Sequence, residues 1–494
     1  MRFESMIERI EKHSKMKISR AERKTEDRTS DTREKGISIL ILVIFSAILV
    51  AVCSMSSPLY RVNPWIDANS YLVAAKKMAD GQVMYRDIFD HKGPILYYLH
   101  YFAVKVFRNP AVGLYIIETA GCIGLGAAFD RILALYEIRR PLHRVFYTIM
   151  LLAVTYTSNT FLTGDTTEEL CLPFLCYGLY CLLKTVHDDK PLSIRRGILI
   201  GCCCGWIFWM KYTLLGFYVC FALYYVFHCL YRKQYGELGH CVLSVLGGFL
   251  AVTAVVFPYF LIHRALSDLL EVYFYDNIFF YSKSSNAFAV SDIIDLIEDY
   301  VAHAAVSVLL TVVGLVYFAK RKEKFAVLFT TLGTACILLL SGHNWLYYMH
   351  PLHMFAVLGI VPLSRMDKKH LYPAILAVVA MIFTIGRANT NLKEDDSWIY
   401  KFEPWIARKD QPTLILYHCM EDEFYTAYNI VPEEKYYTLL NLPVPEMEEE
   451  QDRYVAEKRS DFIITAKDMS IDGYEQVAMT TDNEELNYYL YSRK

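Results

Sequence analysis

Pro94-Ile-Leu-Tyr-Tyr-Leu-His-Tyr-Phe-Ala-Val-Lys-Val-Phe107 is the stretch on which the topology of this chain turns. It is apolar but short, rich in tyrosine, and carries His100 and Lys105. Aromatic rings and lysines favour the headgroup zone of a membrane. The stretch is therefore expected to lie in the outer interface as an amphipathic helix instead of crossing the bilayer.

Its neighbours on both sides are apolar runs near 37–55, 111–136, 144–162, 169–184, 197–210, 213–230, 241–262, 300–319, 325–341, 350–364 and 371–386. Many are long enough to cross a hydrocarbon core about 30 Å thick. They are continuous, not alternating, so helices are expected, because lipid offers backbone groups no partner. With 94–107 on the surface, the basic segments Glu137–Arg144, Lys184–Arg196, Tyr231–His240, Ala319–Lys324 and Ser364–His370 all fall on one side. The positive-inside rule makes that side cytoplasmic. Counting 94–107 as a span would put Glu137–Arg144 outside and invert everything after it. The reading is about eleven transmembrane helices in residues 37–386. Residues 1–36 form a charged cytoplasmic arm, and the C-terminus lies outside.

Composition agrees. The 494 residues are 54% hydrophobic, above the 45–50% usual for a soluble domain. A net charge of −3 suggests no nucleic acid partner. The 13 cysteines lie mostly inside apolar runs, as Cys202, Cys203 and Cys204 do, and read as small fillers rather than a disulfide framework. From residue 387 the chain turns polar and acidic. Pro412–His418, Lys435–Leu440 and Asp461–Ala466 read as strands, and Glu421–Asn429 and Glu446–Arg459 as helices. Residues 387–494 are thus expected to form a small extracytoplasmic α/β domain.

Candidate chemistry gathers at the outer helix ends. In the first outer loop, Asp67 precedes a helix-favouring segment, Ala68–Asp80, that stops at Gly81. Asp67 suits an N-cap, and equally suits a carboxylate facing a polar cleft to take a proton. Tyr71 is one turn further on. Asp90-His91-Lys92-Gly93-Pro94 follows. In the second loop, Gly164-Asp165-Thr-Thr-Glu168-Glu169 offers three acids that suit capping, yet acids at a membrane rim usually face a cavity or a partner. Lys211 sits in a tight outer turn, and His343, Tyr347 and Tyr348 near another. Lys92, Lys211 and His343 are candidates to hold a phosphate whose charge develops as it leaves. Asp90, His91, Tyr71, Tyr347 and Tyr348 are candidates to touch substrate.

An acid just after the first span, then a helix, then Gly81-Gln-Val-Met-Tyr-Arg-Asp-Ile-Phe-Asp-His-Lys-Gly-Pro94 and a surface helix, resembles the C-type (GT-C) glycosyltransferase superfamily. Its members include protein O-mannosyltransferases, aminoarabinose transferases of lipid A and RgtA/B/C/D-like bacterial transferases, and the resemblance covers roughly 37–390. It implies a polyprenyl-phosphate sugar donor, an extracytoplasmic site and inversion at the anomeric carbon. It implies Asp67 as catalytic base and Lys92 as phosphate ligand. One of Asp165, Glu168 and Glu169 would be the second-loop acid, and the aromatic loop 263–299, which equally reads as an interfacial aromatic belt, would close over the donor. Two departures are plain: Asp67 is followed by Ala68 where many relatives carry adjacent acids, and the proline pair is reduced to Gly93-Pro94.

The expected function is a glycosyltransferase of the cell membrane, with an envelope glycan, lipid or protein hydroxyl as acceptor. A transporter or flippase for a lipid-linked sugar, or a non-catalytic envelope scaffold, are the alternatives. No cofactor is fixed, and the one candidate is a divalent cation at the second-loop acid.

Overall fold

The computed structural model describes residues 32–281, 290–340, 345–366, 372–442 and 444–494. His343 and most of the N-terminal arm lie outside the described residues. The chain is mainly helical, with a small sheet near its C-terminus. Among the described residues, seven helices are long and apolar enough to cross a membrane, or eight if one bent pair counts as a span. The first is Thr32–Cys53, and others include Pro110–Leu135, Thr167–Asp188 and Tyr235–Ile262.

Three local decisions set the topology. Helix Pro94–Val106 has 13 residues, a rise of about 20 Å, too short for a bilayer core. It packs against helices Ile66–Ala79 and Pro110–Leu135. Second, the apolar stretch Ile194–Tyr231 reverses at Tyr212–Leu215. Its two ends come together, because the Leu192 amide donates to the Tyr225 hydroxyl at 3.1 Å and Arg232 pairs with Asp189 at 2.7 Å. Lys211 is thereby carried to one end of the bundle. Third, the span expected over 300–319 breaks at Ala304. Helices Val290–His303 and Ala305–Phe318 meet at 97°, and the first carries Asp292, Asp295, Glu298 and Asp299, acids that do not belong in lipid.

Helices Ile194–Lys211 and Tyr235–Ile262 pack with their backbones in close approach. A Cβ on Gly201 would lie 2.0 Å from the Val245 carbonyl oxygen, and one on Gly248 2.0 Å from that of Ile198. Small residues let the backbones touch, which is how helices gain packing energy where lipid supplies no hydrophobic drive.

The last long helix, Tyr372–Asn391, ends beside the first. The Asn391 amide donates to the carbonyls of Val52 and Cys53 at 3.1 and 2.9 Å. The C-terminal domain therefore starts on the face that carries the first loop. Its four-stranded sheet has the order β1 (Leu414–Leu416), β2 (Phe462–Thr465), β4 (Asn487–Arg493), β3 (Tyr474–Thr481). Strands β1 and β2 are parallel, and β4 is antiparallel to both its neighbours. The strand expected at Lys435–Leu440 does not form. That segment is pinned as a loop by side-chain burial: Tyr437 packs its ring against Tyr425 and beneath the Lys77 ammonium, 4.5 Å from the ring centre. The β3–β4 hairpin supplies the missing strands.

This domain clamps the helix that carries Asp67. Ser70 donates to the buried Asp422 carboxylate, Lys76 to Asn429 at 3.0 Å, and Lys77 to the Glu434 carbonyl. Burial pushes Lys77 down to about 7, against the pull of Glu434 and other acids. The unfolded lysine binds its proton up to about 10.4, so between pH 7 and 10 the unfolded chain holds more protons. Stability must then rise with pH over that window. Thermal unfolding of Lys77→Met, followed at pH 6.5 and pH 9.5, is expected to show a smaller pH dependence than the parent. An unchanged dependence would remove Lys77 from this account.

Candidate active site

Helix Ile66–Ala79 begins one residue before the expected cap. Trp65 is the N-cap, and Asp67 lies in the first turn. Its carboxylate makes no cap bond. It accepts from Tyr71 at 3.1 Å, one turn on, and sits 3.4 Å from the Lys92 ammonium. Burial works against the Asp67 carboxylate, but Lys92 and the Tyr71 hydroxyl outweigh it and hold its pKa below the ordinary value. Lys92 moves the other way. Burial opposes its charge, and Asp67 more than compensates. Asp67 is 31% exposed and Lys92 10%, so the pair opens on a cleft and is not sealed.

Lys92 is positioned by backbone. Its amide donates to the Tyr97 hydroxyl at 3.1 Å, and its carbonyl accepts from Tyr85 at 2.6 Å. The next amide, Gly93, donates to the carbonyl of Met210 at 3.0 Å. This bond brings Lys92 to the residue before Lys211. Glycine is required there, because a Cβ would lie 2.2 Å from the Trp209 carbonyl oxygen. The obstacle is backbone, which cannot swing aside. Gly93→Ala is expected to cost about 1–3 kcal/mol by overpacking, read as a lower melting temperature with transfer lost. A parent-like melting curve would count against the close approach.

Lys211 closes the opposite side. Its ammonium lies 2.5 Å from Glu168 and 3.6 Å above the Tyr348 ring. Glu168 also accepts from Thr167 at 2.8 Å. Tyr347 sits between Lys211 and Trp65, with its ring 5.6 Å from each. His91 is hydrogen-bonded through Nδ1 to the Asn277 side-chain oxygen at 2.8 Å, and its ring lies 4.7 Å from Tyr281. Burial, then Lys92, pushes His91 down to about 3, so it is neutral at physiological pH. Asp90 accepts from the His91 amide at 2.6 Å, and burial raises it to about 6. Lys92, His91, Lys211, Asn277, Tyr281 and Tyr348 line a cavity of about 310 Å³.

The three second-loop acids part company. Thr166 caps helix Thr167–Asp188 through the Glu169 amide. Glu168 faces Lys211. Asp165 and Glu169 turn the other way, into the protein. The Asp165 amide donates to Glu118 at 2.8 Å and to Glu169 at 3.1 Å, and Ser54 donates to Glu118 at 2.8 Å. His100 completes this lock. Its Nδ1 meets the Leu96 carbonyl at 2.9 Å and its Nε2 the Asp165 carboxylate at 3.0 Å. Burial disfavours a charged His100, but Asp165 overrides it and raises the pKa. Glu118 escaped the sequence reading, although a lone acid inside an apolar run was the available signal.

Of the residues singled out from sequence, Asp67, Tyr71, Asp90, His91, Lys92, Glu168, Lys211, Tyr347 and Tyr348 come together. Asp165 and Glu169 do not, and Asn277 and Tyr281 join from the aromatic segment Glu271–Tyr281, which is a π-helix. Among the described residues no three His, Cys, Asp or Glu side chains form a metal-holding group, and Glu168 is already paired with Lys211.

Residues 91–263, which begin at the cavity and include both lysines, match the family described as dolichyl-phosphate-mannose-protein mannosyltransferase. No curated protein matches the chain. The fold is similar to that of ArnT from Cupriavidus metallidurans in two crystal structures. One is bound to undecaprenyl phosphate, with a TM-score of 0.59 and 12% identity over 91% of this chain and 97% of that one. The other is in the apo state, with a TM-score of 0.61 and 11% identity over 92% and 98%. The family match covers one segment of the chain, and the likeness to ArnT is one of fold.

Proposed function

We propose that this chain is a membrane glycosyltransferase that moves a sugar from a polyprenyl-phosphate donor to a hydroxyl of an envelope glycan, lipid or protein. The reaction takes place at the outer face of the cell membrane, with inversion. The observation that carries the reading is that Lys92 and Lys211 line one cavity, Lys92 with the Asp67 carboxylate beside it and Lys211 with Glu168 beside it.

The chemistry is direct displacement. Asp67 accepts the proton of the acceptor hydroxyl as its oxygen bonds to the anomeric carbon. The bond from that carbon to the phosphate oxygen breaks, and its electron pair leaves with the phosphate. Lys92 and Lys211 meet that charge as it forms. Donor binding also prepares the base. When Lys92 turns toward the phosphate, Asp67 loses the partner that depressed its pKa, and burial makes it more basic. Glu168 holds Lys211 in place and orients the acceptor. The fold shared with ArnT, solved with undecaprenyl phosphate, supports a polyprenyl-phosphate donor. The alternative of transport calls for ionisable groups lining a route near the midplane, and the cleft acids instead sit at helix ends.

Membranes containing the protein, supplied with labelled polyprenyl-phosphate sugars, are expected to form a labelled acceptor product. Movement of label across the membrane without transfer would replace this reading with transport.

A further inference from the structure

A second, larger cavity lies on the side of the bundle, formed by helices Pro110–Leu135, Thr167–Asp188, Ile194–Lys211 and Tyr235–Ile262. Its volume is about 970 Å³, the upper end of ligand-sized pockets. It shares no residue with the cavity at Lys92 and Lys211. Its walls are apolar and aromatic, with Phe174 and Trp206 stacked 4.9 Å apart. At Gly121 it is open, since a Cβ added there would meet nothing within 4 Å.

The charged groups are not spread along this groove. Leu99 and Leu170 mark its end near the catalytic face, whereas Arg131, Arg195 and Arg196 mark the far end. From Arg195 to Lys211 the helix climbs about 24 Å, so the arginines sit near the opposite boundary of the membrane. Among the described residues no carboxylate lines the groove. Among the described residues none of the three arginines has an ion-pair partner, although Arg131 lies 5.9 Å from the Tyr177 ring. Arg195 and Arg196 also occupy the first turn of their helix, where the macrodipole disfavours cations. A basic preference for the cytoplasmic side accounts for arginines in this loop, but not for their convergence on an apolar cavity.

We infer that this groove binds one anionic phospholipid of the inner leaflet, its phosphate among Arg131, Arg195 and Arg196 and its acyl chains along Phe174, Trp206 and Gly121. Basic pockets between membrane helices on the cytoplasmic side recognise acidic headgroups, and here the apolar continuation fits the chains of the same molecule. The inference stands on the groove alone and not on sugar transfer.

Native mass spectrometry of the full chain in detergent, incubated with equal phosphatidylglycerol and phosphatidylethanolamine, tests it. The parent protein is expected to retain phosphatidylglycerol about tenfold over phosphatidylethanolamine. Arg131→Gln/Arg195→Gln/Arg196→Gln is expected to retain the two equally. Gly121→Leu fills the groove without touching the arginines and is expected to lose both. The two variants fail by different routes, and size-exclusion profiles matching the parent show that each is folded. Equal retention of both lipids by the parent, or full retention by Gly121→Leu, would overturn the proposal. So would displacement of phosphatidylglycerol by equimolar undecaprenyl phosphate, which would assign the groove to the donor chain.

Discussion

Membranes carrying the Asp67→Asn protein are expected to transfer sugar about 10²–10⁴-fold more slowly than the parent, the usual contribution of a positioned general base. Asparagine keeps the volume and can still accept from the Tyr71 hydroxyl, so the first turn of helix Ile66–Ala79 has no reason to move. What disappears is the proton acceptor and the negative charge 3.4 Å from Lys92. The loss should fall on kcat. Donor affinity should hold or improve, because Lys92 no longer has to leave Asp67 to meet the phosphate. Steady-state kinetics against donor concentration separates the two. Equal product from parent and variant would take Asp67 out of the mechanism, and a purely KM effect would make it a binding group.

The second large effect is expected at Lys92. Lys92→Met keeps the length of the stem and removes the ammonium. A charge-assisted hydrogen bond contributes about 1.5–3 kcal/mol, so kcat/KM should fall about 10–150-fold. A second readout tells phosphate binding and base tuning from simple structural damage. Lys92 is the main group that lowers the Asp67 pKa against the effect of burial. Without it, burial acts unopposed by that charge and the carboxyl titrates at higher pH. The acid limb of the kcat/KM profile, which reports the donor-free enzyme and is set in the parent below the ordinary carboxylate pKa of about 3.9, should therefore move upward in Lys92→Met. A variant slowed by misfolding would show the same limb as the parent at lower amplitude. An unmoved limb with unchanged donor KM would leave Lys92 with no part in the site.

Part of this site was legible because its chemistry is crowded into short segments. Asp67 and the Asp90–Pro94 stretch lie in one loop, and lysines and acids stand out against apolar neighbours. The partition among Asp165, Glu168 and Glu169 was not legible. Adjacent residues in a helical first turn point in different directions, and which one faces Lys211 depends on Gly164 and Asp165 adopting positive φ angles of 86° and 63°. Those angles are held by contacts with Ser54 and Glu118, which are distant in sequence. The expected strand at Lys435–Leu440 failed for a similar reason. Its tyrosines, threonine and leucines suit a strand, but its rings are consumed elsewhere, Tyr437 beneath Lys77 on the helix of Asp67 and Tyr436 against Phe89.

By itself the sequence determined that this is a multi-spanning helical membrane protein with its polar chemistry at the ends of the helices. Hydrocarbon tolerates neither unpaired backbone nor stray charge, so hydropathy and charge along the chain suffice for that much. Only the tertiary structure decided which charges meet. The Gly93–Met210 backbone bond sets Lys92 beside the turn of Lys211, and the C-terminal domain grips the helix of Asp67. Such pairings depend on close approaches between segments more than a hundred residues apart, and these are fixed by packing rather than by any local pattern.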